Sequence, residues 1–113
     1  MINYKLINNS TPIFYDCEFE VREHGTKIIP ISIALVELNQ YGKKLYLINK
    51  DYDWSQSNDW LIKNVKPPID QIIKTGNVNH LSENFRSNLY LDYCSFNSWK
   101  KYIDYYFQRF EKQ

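Results

Sequence analysis

A chain of 113 residues is long enough for one domain and too short for two. Its 43% hydrophobic and 17% aromatic residues supply the apolar surface that a packed core needs, which excludes a disordered chain. The 14 Lys and Arg nearly cancel the 13 Asp and Glu, leaving a net charge of +1, so no basic surplus argues for tight nonspecific binding to nucleic acid.

The segment from Pro12 to Phe19, rich in Ile, Phe and Tyr, reads as a strand. "EVREHG" follows as a polar turn closed by Gly25. Residues 27–38, "KIIPISIALVEL", read as a longer second strand, with Pro30 at a sheet edge or a bulge. "NQYGKK" is a hairpin turn and "KLYLIN" a third strand, completing an antiparallel meander. Asp53 or Ser55 then offers an N-cap for a helix bearing Trp60, Leu61 and Val65, which Pro67 and Pro68 stop. The calcium-loop pattern in "DYDWSQS" is broken by Gln56, where Gly is needed, and by Ile62, where Glu is needed. A helix-capping loop accounts for it better.

A helix or turn, a polar loop and a short helix around "LSENFRS" lead to a fourth strand in "NLYLDYCSF", expected parallel to the first after its helical crossover. The last segment sets Trp99, Ile103, Tyr106, Phe107 and Phe110 on one face of an amphipathic helix, with Lys100, Lys101, Arg109 and Lys112 on its polar side. The expected architecture is a single mixed α/β domain over residues 1–113. Cys17 and Cys94 lack metal-ligand spacing and read as small core residues. No run approaches the ~20 apolar residues of a membrane span, and the first residues lack a secretory signal, so the expected compartment is the cytoplasm and no membrane partner is expected.

"IFYDCEFEV" carries the chemistry. Side chains alternate along a strand, so Asp16 and Glu18 share a face with Phe14, while Ile13, Tyr15, Cys17 and Phe19 share the other. Paired carboxylates of this kind suit Mg²⁺ or Mn²⁺, and a two-metal phosphoryl-transfer site is built on such ligands. The same tripeptide is also common on the wet face of a half-exposed strand.

From Ile13 to about Val65 the sequence resembles the bacterial RNase AS family, polyadenylate-specific 3′-5′ exoribonucleases of the DEDD superfamily. The likeness lies in the FYD-x-EF strand, the polar turn, the "ISI" strand and the strand leading to "DYDW" and a helix. It implies an RNase H-like fold, Asp16 and Glu18 as catalytic metal ligands, Mg²⁺ or Mn²⁺ as cofactor and RNA as substrate. The family's third acid belongs to a Tyr-Asp motif, where this chain has Phe96-Asn97. Its fourth acid lies, with a preceding His, on a later helix that has no counterpart here, and neither His24 nor His80 stands in such a motif. The resemblance therefore implies a domain shortened at its C-terminus with two of four ligands, Asp92 or Asn97 standing in as substitutes. Asn97 is also a favourable N-cap for the last helix. Two functions follow as expectations: a weakened exoribonuclease, or a catalytically dead relative acting as a protein-binding or inhibitor module, encoded by a phage or mobile element. A protein partner or a homodimer is expected through "WKKYIDYYFQRF".

Overall fold

The structure is a computed structural model and describes residues 12–38, 42–76 and 88–111, with backbone alone at 109–111. Four strands, β1 (Ile13–Arg22), β2 (Lys27–Glu37), β3 (Lys44–Asn49) and β4 (Leu89–Cys94), form one mixed sheet in the order β1-β2-β3-β4. β1 with β2 and β2 with β3 pair antiparallel, and β4 joins β3 in parallel. β4 therefore runs in the direction of β1, as expected after a crossover, but lies at the opposite edge of the sheet. Among the described residues three helices, α1 (Asp59–Asn64), α2 (Lys66–Thr75) and α3 (Trp99–Glu111), join the sheet in an α/β arrangement.

The sheet is covered on both faces. On one face Ile31, Ile48, Tyr52, Leu61, Val65, Ile69 and Ile72 form a core beneath α1 and α2. On the other, Leu35, Leu45, Leu47, Trp99 and Tyr106 form a second core beneath α3. β3 belongs to both, and this is why "KLYLIN" reads as a nearly continuous apolar run: Leu47 is wholly buried and Ile48 nearly so. Burying each such side chain contributes about 1.5–3 kcal/mol.

Local chemistry explains the boundaries. β1 runs three residues past the expected Phe19 because Glu20 and Arg22 pair with each other, as described below. It turns through Glu23, His24 and Gly25, all at positive φ. The register shifts between Glu18 and Phe19, where Ile31 of β2 is the extra residue beside Pro30. The bulge lets β2 carry a proline, as its sequence requires, and turns Ile31 into the core. The expected turn "NQYGKK" lies partly outside the described residues, and the helix expected around "LSENFRS" wholly so.

The helical region departs from expectation in its caps. Asp53 accepts the Ser55 N–H at 3.0 Å, but it caps a 3-10 turn, Trp54–Gln56. α1 is capped instead by Asn58, whose Oδ1 accepts from the Leu61 N–H at 2.9 Å. α1 ends at Asn64, just before Pro67 and Pro68, as expected, but the prolines also open a new helix. They stand in the first turn of α2, where a missing N–H costs nothing. Asn97 does not cap α3: it lies inside the 3-10 turn Phe96–Ser98, whose cap position is Ser95. On α3, Trp99 and Tyr106 are buried as the spacing requires and Ile103 packs at the margin, whereas Phe107 is 42% exposed and Tyr102 takes the contact instead. Among the described residues no helix is long and apolar enough to cross a membrane.

Candidate functional site

Pairing register places Asp16 opposite Ala34 and Glu18 opposite Ser32. Residues opposite one another share a face, so both carboxylates project on the α1–α2 side with Tyr46 and Ile48 further along the same rows. Glu18 is half-buried, and burial followed by the nearby charge of Asp16 raises its carboxyl above the ordinary glutamate range. Burial also raises the Tyr46 phenol, with smaller contributions from Glu18 and Asp16 against a lowering bond to Ser32.

β1 is an outer strand of the described sheet, so within that sheet only β2 flanks these acids. The flanking positions are Ala34 and Ser32, and neither adds a charge. Asp92 cannot join them within one chain. Its row runs through Leu47 and Ile33 to Cys17, so it projects on the opposite face. Three strand spacings, about 14 Å, also separate β4 from β1. There Asp92 bonds the Tyr102 hydroxyl and pushes that phenol well above its ordinary range. Asn97 is exposed in the turn after β4. Among the described residues no three His, Cys, Asp or Glu side chains come together in a way that could hold a metal ion. Among the described residues no further carboxylate converges on Asp16 and Glu18, as a two-metal centre would need.

The same strand carries two features that sequence reasoning missed. The first is Glu20, only 5% exposed. Arg22 donates to both of its oxygens, from Nε at 2.7 Å and Nη2 at 2.8 Å, and the Tyr52 hydroxyl donates at 2.7 Å. The Arg22 bonds hold this carboxyl below the ordinary range against the cost of burial. Arg22 also reaches Gln56 Oε1 at 3.2 Å, and Tyr52 meets Ser57 Oγ at 2.8 Å. The network ties the end of β1 to the loop leading into α1. Its only signal in the sequence is opposite charges two residues apart in "FEVR", the spacing at which side chains share a strand face.

The second is a groove of about 430 Å³ between β1 and α1, lined by Cys17, Glu18, Phe19, Val21, Asn58 and Trp60 among others. Trp60 is 63% exposed although it sits on a helix packed against the sheet. It lies on the flank of α1 away from Leu61 and Val65, which face the core. Along the outer side of β1, Phe14, Tyr15, Phe19 and Val21 are also exposed, Tyr15 by 75%. Among the described residues nothing pairs with the outer edge of β1.

No family model matches the chain, and no curated protein is similar to it in sequence. The site is therefore read from its own geometry.

Proposed function

We propose that the chain is a protein-binding module that takes up an extended segment along the open edge of β1, and that it is an RNase H-like relative of the RNase AS family which has kept two acids and lost the reaction. The observation that carries this reading is the position of Asp16 and Glu18 on an outer strand, between Ala34 and Ser32 on one side and an edge that nothing among the described residues pairs with on the other. A ten-residue edge with exposed aromatic side chains is what strand addition uses: backbone bonds supply affinity and alternate side chains supply selectivity.

The resemblance over residues 13–65 and the closeness of the two carboxylates favour a second reading, a weakened Mg²⁺- or Mn²⁺-dependent 3′-5′ exoribonuclease. On that reading the missing ligands would have to come from a second chain, and the exposed Tyr105 and Phe107 of α3 offer a surface for one.

One experiment separates the two. Displayed random extended peptides are selected on the whole protein, and the clones retested on Tyr15→Pro, which removes an outward N–H of the edge. In parallel, 5′-labelled oligoadenylate is incubated with Mn²⁺ or Mg²⁺. Clones that lose binding to Tyr15→Pro, with uncut RNA, are the expected result. Stepwise 3′ shortening abolished in Asp16→Ala/Glu18→Ala overturns the binding-module reading.

A further inference from the structure

We infer that the segment received by β1 is a basic one, with Lys or Arg at alternate positions placed against Asp16 and Glu18. This deepens the binding-module reading and rests on it.

The backbone settles which groups face the partner. The Leu38 N–H donates to Pro12 O at 3.0 Å, which makes 12 and 38 a hydrogen-bonded pair of the β1–β2 ladder. Pairs alternate along an antiparallel ladder, so Phe14, Asp16 and Glu18 turn their backbone groups toward β2. Ile13, Tyr15 and Cys17 turn theirs outward. An incoming antiparallel strand bonds to those three residues, and Asp16 and Glu18 then fall in the non-bonded pairs, where opposing side chains approach most closely.

Charge decides what can stand there. Burial and then the charge of Asp16 on the same face already raise the cost of ionising Glu18. An acidic or neutral strand would bury them further without compensation, whereas an ammonium or guanidinium opposite each would offset it. The groove extends the match: Glu18 and the exposed ring of Trp60 line one cavity of about 430 Å³, which offers a long basic side chain a carboxylate and an aromatic face together. On the other face of the strand, Tyr15 and Cys17 call for apolar residues between the basic ones.

A second copy of the chain fits this edge poorly. Antiparallel self-pairings of β1 centred on Asp16, Cys17 or Glu18 set Asp16 or Glu18 against Asp16 or Glu18 of the other copy, and like charges directly opposite are destabilising. The acids thus guard the edge against its own kind and select for the opposite charge.

The test uses three capped peptides: Thr-Val-Lys-Val-Arg-Val-Thr, the same sequence with Glu at both basic positions, and the same with Thr there. Binding to the whole protein is followed by fluorescence anisotropy and by amide exchange at Ile13, Tyr15 and Cys17. The basic peptide is expected to protect those amides and to bind about tenfold or more tighter than the others, an advantage lost in Asp16→Asn/Glu18→Gln and weakened by salt. Trp60→Ala, which alters an exposed ring, should weaken the basic peptide selectively. Equal protection by the basic and Thr peptides overturns the choice of a basic partner while leaving strand addition at β1 standing. Failure of all three peptides to protect these amides in the folded protein overturns the inference, and the display selection then judges the broader reading separately.

Discussion

Glu18 and Glu20 stand two residues apart on β1, and the fold drives their carboxyls in opposite directions. Glu20 is buried but receives Arg22 and the Tyr52 hydroxyl, so its charged form is favoured. Glu18 is half-buried and stands beside the charge of Asp16, so its charged form is disfavoured. One carboxylate belongs to the structure, and the other is the one to which the proposed basic partner would bind.

The Glu20 network should make the fold acid-sensitive. A carboxyl depressed in the folded state adds stability above its unfolded pKa, and that contribution is lost as pH falls below the ordinary glutamate range and through the folded value. Glu20→Gln should cost about 1–3 kcal/mol at neutral pH, because it removes the charge and replaces one of the two oxygens that accept from Arg22 and Tyr52 with an amide donor. It should also flatten the acid limb of a urea-denaturation series run across pH.

Glu18→Gln should act in the opposite sense. A carboxyl raised in the folded state lets the native protein hold more protons between the unfolded and folded values, so stability falls as pH rises through that window. Removing the charge should stabilise the free protein above the window, by less than about 1 kcal/mol because water still reaches the groove. The gain should vanish below the unfolded value, which is measurable by thermal melts at several pH values.

Two proline substitutions should separate the edge from the ladder. Tyr15→Pro removes a backbone donor that faces outward, and should lower stability far less than Phe14→Pro, which removes one that bonds β2 and should cost about 3 kcal/mol or more. Equal losses in chemical denaturation would mean that the ladder alternates in the other phase.

Asn58→Ala should remove the cap of α1 and cost about 1 kcal/mol. Asp53→Ala should cost less, because a single 3-10 turn depends on it rather than a helix. Denaturation midpoints of the two variants, compared at constant slope, check the ranking.

Much of the fold was legible in local patterns. The strand "KLYLIN" was placed to the residue, the alternation of "IFYDCEF" assigned each side chain to its face, and Pro30 pointed to the bulge found beside it. The misplaced features were those in which one local signal has several uses. Asp53, Ser55 and Asn58 all can cap, and which of them starts α1 depends on where Leu61 and Val65 must meet the sheet. Pro67 and Pro68 serve a helix start as well as a stop. Asn97 has the chemistry of a cap but lies one turn inside the structure that precedes α3.

The candidate site shows the same division. Sequence alone determined that Asp16 and Glu18 share a face, because a strand's period of two admits no other result. It also determined that Cys17 and Tyr15 oppose them. Only the tertiary structure decided what stands beside those acids, since strand order is set by how distant segments pack. By pairing β4 with β3, the fold sent Asp92 to the far edge and the other face, left β1 at the outer edge of the described sheet, and α1 brought the distant Trp60 to the groove beside Glu18. A local period can orient a side chain, but its neighbours come from non-local burial of apolar surface on both faces of the sheet.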